Sequence, residues 1–132
     1  MKVKELMQND YVMVNDEICR VIEIHVKSAV LRNKKNNAFE IQEEYIEPIR
    51  LTEQMLIKSG FFDNKLRDSS HKIYFDYAYY NYIEIYRENY DEMYFKFNDA
   101  HSYTHIKNLS IRYFHELQHI FRICGINKRF KL

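Results

Sequence analysis

Residues 115–119 read HELQH, an H-E-x-x-H pattern. On a helix, positions i and i+4 bring two imidazoles to one face. The glutamate between them could then deprotonate a metal-bound water, which is the chemistry of a zinc hydrolase. Such a site needs a third protein ligand. The residues after His119, IFRICGINKRFKL, contain no His, Asp or Glu, and Arg122 stands where the longer H-E-x-x-H-x-x-G-x-x-H form has its glycine. His71, His101 and His105 lie upstream at spacings that do not decide the matter. Three fixed positions in five residues recur by coincidence in a chain with six histidines. The expectation is that His115 and His119 are ordinary helix-face residues, with no metal and no other cofactor.

Other reactive groups make no stronger case for an enzyme. Glu43–Glu44, Glu88 and Asp91–Glu92 fall beside Lys, Arg or Asn at expected strand ends and turns, where solvated carboxylates are ordinary. Two glycines cannot build a phosphate-cradling loop. Cys19 and Cys124 lie far apart, outside any CxxC, and read as buried reduced thiols of a cytoplasmic protein. No catalytic residue is assigned.

Binding residues are easier to find. The chain has 12 Tyr and 9 Phe, and eight of the tyrosines crowd between residues 74 and 94. On paired strands about half of them would face solvent, and exposed tyrosine buries large area at low entropic cost. Tyr74, Tyr80, Tyr82, Tyr86 and Tyr94 are the expected partner-binding set. Arg32, Lys34 and Lys35 in one loop, with Lys128, Arg129 and Lys131 at the end, form the alternative: a surface for RNA or single-stranded nucleic acid. Against it stands a net charge of +1, from 20 basic and 19 acidic side chains, which creates no global field for polyanions.

The elements that would carry these residues follow from periodicity. YVMVN (11–15), ICRVIEIHV (18–26), AVLR (29–32) and AFEIQEEYIEPI (38–49) alternate or run apolar between turn-forming stretches, as short strands do. Four or five such strands in fifty residues predict an SH3-like antiparallel barrel. Over 52–59 the pattern predicts a short helix capped by Thr52, stapled by Leu51 and Leu56, and stopped by Gly60. Strand-like alternation returns over about 72–98, with SYTHI near 103–107 as a fourth short run. A helix over about 109–124 then presents Leu109, Tyr113, Leu117, Ile120 and Cys124 as one stripe and ends at Gly125. The expected fold is α+β: a barrel subdomain over 1–50, then an α+β subdomain over 51–132. In the second, a short helix precedes a three- to four-stranded antiparallel sheet packed by the C-terminal helix.

The totals agree. A chain of 132 residues with 46% hydrophobic and 30% charged side chains suits one small domain or two subdomains. No apolar run nears the roughly 20 residues of a membrane span. The start, MKVKELMQND, lacks the apolar centre of a signal peptide, so a cytoplasmic location is expected.

Two stretches, IEPIRLTEQMLIKSGF (46–61) and YFHELQHIF (113–121), resemble a family of uncharacterised small proteins of Bacteroidetes phages, prophages and conjugative elements. That family joins an N-terminal β segment to Glu-Pro-Ile-x-Leu-Thr and a short helix ending in Gly-Phe. Its C-terminal helix carries a Tyr-x-His-x-Leu-Gln-x-x-Tyr/Phe pattern, matched here by Tyr113, His115, Leu117, Gln118 and Phe121. Members often have Gln at the place of Glu116 and Asn at that of His119, which would make HELQH a local variant of a packing helix. The family usually ends in a Leu-Thr-Gly stop, and this chain departs there with ICGINKR. The resemblance implies a mobile-element origin and no established activity.

The expected function is non-catalytic binding of a host protein or nucleoprotein complex by a phage or mobile-element accessory protein. Its most concrete form is an inhibitor of a host defence nuclease such as a CRISPR effector. Nucleic-acid binding is the alternative, and a zinc hydrolase through HELQH comes third.

Overall fold

In the computed structural model, the described residues are 1–64, 71–78, 81–89, 92–99, 104–126 and 130–132. The fold is α+β, with two antiparallel five-stranded sheets and two α-helices among those residues. The chain divides into two units, Met1–Arg50 with Tyr113–Asn127, and Leu51–Arg112 with Lys128–Leu132.

In the first unit, strands β1 (Tyr11–Val14), β2 (Glu17–Ile24), β3 (Ser28–Arg32), β4 (Ala38–Gln42) and β5 (Glu47–Pro48) lie in the order β4-β3-β2-β1-β5. A 3₁₀ turn at Glu43–Tyr45 carries the chain from β4 to β5. A meander closed by a last short strand beside the first is the strand order of an SH3-like barrel. Turn chemistry sets the hairpins. Asn15 and Asp16 join β1 to β2 with φ of 48° and 63°, the left-handed pair that a tight two-residue hairpin requires and that Asn and Asp tolerate. Between β3 and β4, Asn33 Oδ1 accepts from the Asn37 N–H at 2.9 Å, and Arg32 Nη1 donates to Asn36 O and Oδ1, both at 3.1 Å.

The core of this unit gathers Val3, Leu6, Val12, Val14, Cys19, Val21, Ala29, Leu31 and Ile46. Alternation in β1 and β2 produces it, because Val12 and Val14 share one parity, and Val12 stands opposite Cys19, which shares its parity with the buried Val21 on β2. Pro48, where regular pairing is expected to end, is the last residue of β5 and stands opposite Val12 on β1.

The second unit opens with α1 (Glu53–Lys58), capped as expected. Thr52 Oγ1 accepts from the Met55 N–H at 3.3 Å, and Leu51 and Leu56 are both buried. Gly60, at φ 93°, donates to Ile57 O, and the Phe61 N–H donates to Leu56 O, closing the helix in a left-handed stop. Strands β6 (Phe62–Asn64), β7 (His71–Ala78), β8 (Asn81–Asn89), β9 (Glu92–Asp99) and β10 (Thr104–Ile111) pair in chain order. Ile85, Met93, Phe95 and Ile111 are buried.

Helix α2 (Phe114–Ile123) brings two corrections. It is shorter than the expected 109–124, because Thr104–Ile111 pairs with β9 and Leu109 is an exposed strand residue. It also groups with the first unit, so the expected division into 1–50 and 51–132 does not hold. Backbone bonds explain why: the Phe114 N–H donates to Ile49 O at 2.8 Å, and Arg50 and Tyr113 form a bridge. Phe114, Leu117, Ile120 and Phe121 are buried, and the Phe114 ring meets Tyr11 edge-on at 6.1 Å. Gly125, at φ 70°, ends α2 as expected, with Ile126 N–H donating to Phe121 O.

Candidate functional site

The joint between α2 and the start of β1 is polar. Asn9 takes φ 73°; its N–H donates to Val21 O, and the Val21 N–H donates to Asp10 O, so two residues oppose one. That is the pattern of a β-bulge, a device that re-aims side chains. Beyond it Asp10 shares the parity of Val12 and Val14, with no exposed surface.

A buried carboxylate is costly unless it is fully paired. Asp10 has three partners. Its Oδ2 accepts from the Met7 N–H at 2.8 Å and lies 2.6 Å from His119 Nε2, while its Oδ1 accepts from Arg122 Nη1 at 2.7 Å. His119 and Arg122 are neighbours on α2 that keep part of their surface in water. Immediately before His119, Gln118 acts as a backbone mimic: Oε1 accepts from the Tyr11 N–H at 2.9 Å, and Nε2 donates to Asn9 O at 3.0 Å. The side chain satisfies one donor and one acceptor of the strand, much as a neighbouring strand would.

Beside this joint lies a cleft of about 570 Å³, walled by Met1, Glu5 and Pro48 on one side and by Tyr113, His115, Glu116 and His119 of the α2 segment on the other. The Tyr113 and His115 rings stack at 5.9 Å and 11°, and His115 meets His119 edge-on at 5.6 Å. His115 is 5% exposed, and its Nδ1 is buried with no hydrogen-bond partner. Burial pushes the imidazole below its ordinary pKa of 6.5, Asp10 and Glu5 pull it up, and His119 adds to the depression.

The sign of the resulting pH effect is fixed. With the folded pKa depressed, the unfolded chain takes up the proton first as pH falls. The contribution of His115 is therefore fully present above about pH 6.5 and is lost as pH drops through the folded pKa. His115→Phe keeps a ring against Tyr113 and removes the titration. Its unfolding free energy is expected to fall less steeply than wild type between about pH 7 and 5. Urea melts at several pH values check this, and parallel slopes would contradict it.

Both histidines of HELQH are thus placed: His119 in the Asp10–Arg122 joint, His115 in the cleft wall. Among the described residues no group of three His, Cys, Asp or Glu side chains could hold a metal ion. Cys19 and Cys124 are unpaired, and burial raises both thiols above their ordinary pKa.

Of the tyrosine set, Tyr94 is half-buried on β9, with its backbone in register with Tyr86 on β8. The backbones of Tyr74 and Tyr82 pair with Glu84 and Asn98. The side chains of Tyr74, Tyr82 and Tyr86 lie outside the described residues, as does Tyr80 altogether. Of the basic set, Lys34 and Lys35 are exposed, but Arg32 is half-buried and committed to Asn36. Lys131 is exposed, its backbone fastened to Ser59 Oγ at 3.2 and 3.0 Å, while Lys128 and Arg129 lie outside the described residues.

Asp10, Glu5 and the cleft are not among the sequence-based expectations, and Gln118 enters them only as part of the pattern that carries the resemblance. A signal for Asp10 exists in the alternation of D-Y-V-M-V, which puts an acid in step with two core valines. Gln118 stands on the apolar stripe of its helix, four residues from Phe114. No described helix is long and apolar enough to cross a membrane. Comparison with protein-family models, curated proteins and solved structures returns no match to the chain.

Proposed function

We propose that this chain is a non-catalytic binding protein, an accessory factor of a phage or mobile element that acts on a host protein or nucleoprotein complex. An inhibitor of a host defence nuclease, a CRISPR effector among them, is the most concrete form of that role. The mobile-element part follows from the resemblance carried by residues 46–61 and 113–121.

One observation carries the binding part. Within HELQH, His119 is tied to Asp10 and Gln118 to the backbone of Asn9 and Tyr11, and His115 and Glu116 stand in the wall of an open cleft beside a stacked ring pair. A cleft of about 570 Å³ lies within the roughly 300–1,000 Å³ typical of ligand sites. Ring walls with a few polar groups suit recognition, since aromatic surface dominates binding energy.

The test is affinity capture from a Bacteroidetes lysate with the tagged chain, with and without nuclease, read by mass spectrometry. A host protein retained after nuclease treatment is the expected result. Loss of all captured material on nuclease treatment would move nucleic acid into first place, and salt dependence of that binding would count the phosphates engaged.

A further inference from the structure

The cleft contains groups that ask for a particular occupant. Glu5 is exposed and Glu116 half-buried on its walls, and neither carboxylate makes an ion pair among the described residues. His115, 95% buried in the same wall, keeps Nδ1 without a partner. A buried polar atom left unpaired is destabilising, so this wall is not arranged for the stability of the free chain alone. The Tyr113–His115 stack supplies a flat aromatic surface next to these groups.

We propose that the cleft receives an arginine side chain from an extended segment of a partner protein, with the guanidinium against the Tyr113–His115 pair and donating to Glu5 and Glu116. This rests on the protein-binding reading above and names the chemistry of its partner. A guanidinium is planar, stacks on rings, and carries five N–H donors and no acceptor. That matches a wall that offers two carboxylates without ion-pair partners among the described residues, beside a ring pair. Lysine offers charge without the plane. The volume exceeds that of one side chain, and Met1 and Pro48 leave apolar wall for the residues flanking the arginine.

Positive charge is also present nearby, and its disposition decides the sign. The start of α2 adds about half a unit of positive charge, which Glu116 in the first turn offsets. The Met1 ammonium donates to Glu43 O and Ile46 O at 3.3 and 3.1 Å. Arg122 and His119 are held by Asp10. At His115 itself burial opposes protonation most strongly and His119 adds to that, while the negative charges of Asp10 and Glu5 pull the other way. A phosphate or an acidic peptide would have to face Glu5 and Glu116 unpaired.

The test is an NMR titration of the ¹⁵N-labelled full chain with a capped Gly-Arg-Gly peptide. Matched peptides carrying citrulline or lysine, and guanidinium chloride alone, serve as comparisons. Saturable shifts are expected at the amides of Glu5, Tyr113, Glu116 and His119 with the arginine peptide. Binding should weaken by roughly tenfold or more for citrulline, and likewise for the Glu5→Gln/Glu116→Gln double variant, as expected on losing a charge-assisted hydrogen bond. Equal binding of citrulline or lysine, guanidinium binding as tightly as the peptide, or silence at those amides would overturn the assignment. The two readings fail separately. A nuclease-resistant partner captured equally by wild type and double variant, with no arginine response, removes the cleft assignment and leaves protein binding standing. Arginine binding at the cleft with no captured protein does the reverse.

Discussion

Asp10→Ala is expected to destabilise the first unit by about 2–4 kcal/mol, the largest expected effect of any single polar substitution in this unit. The carboxylate is completely buried and serves the Met7 N–H, His119 and Arg122 at once. Truncation leaves the Met7 N–H without its acceptor and deprives Arg122 and His119 of their counter-charge. The upper range for a broken buried ion pair is not reached, because His119 and Arg122 retain contact with water and can recover part of their solvation. Asp10→Asn should cost less, since the amide oxygen can keep one of the three bonds. Native-state hydrogen exchange at Val12 and Val21 is the appropriate measurement, because it reports this unit alone. If Asp10→Ala leaves protection at both amides unchanged, Asp10 does not join α2 to the strand. A double-mutant cycle with Arg122→Met then separates the Arg122 share, and an interaction term near zero would assign the loss to His119 and Met7.

Why the barrel was readable while its joint was not follows from what each depends on. Strands β1 to β4 announce themselves through alternation and through Asn–Asp and Asn-rich turns, all within a few residues of one another. The cap of α1 is equally local: Thr52, Leu51, Leu56 and Gly60 lie within ten residues and do what their types do in isolation. The destination of α2 is different. Its stripe of Phe114, Leu117 and Phe121 shows that the helix buries a face, but not against which unit. That choice is made by Ile49, Asn9, Asp10 and Tyr11, up to 112 positions away, whose partners no periodicity reveals. Leu109 misled for a related reason. It falls in helical step with Tyr113, yet residues 104–111 have β9 to pair with, and ladder bonds outweigh a weak periodic signal. HELQH is ambiguous for the same reason, since a helix places His115 and His119 together whether or not a metal is wanted, and the contact that engages His119, Asp10, is in another part of the chain.

The second large effect belongs to Gln118. Gln118→Ala removes the partner of the Tyr11 N–H and of Asn9 O, in a side chain that is 6% exposed, and about 2–3 kcal/mol is the expected loss. Alanine alone would not show that the amide acts as a strand mimic, since any truncation on a buried helix face also opens a cavity. Gln118→Glu separates the two, because it preserves size and the acceptor for Tyr11 but turns the donor toward Asn9 into a second oxygen. Ionised, that oxygen would face a carbonyl in a buried site. Both burial and the Asn9 oxygen therefore raise the folded-state pKa of the introduced carboxyl above its unfolded value of about 4.3. A raised folded pKa gives a contribution that is fully present below the unfolded pKa and is lost as pH rises through the folded one. The deficit of Gln118→Glu against wild type should thus be small near pH 4, where the protonated acid can donate to Asn9 O, and should widen toward pH 8. Gln118→Ala carries no titrating group and should show a constant deficit. Urea melts of the three proteins across that range read the difference directly. A Gln118→Glu deficit that does not change with pH would mean that Gln118 only fills space, and the two bonds to β1 would then have to be dropped as the reason α2 sits on the barrel.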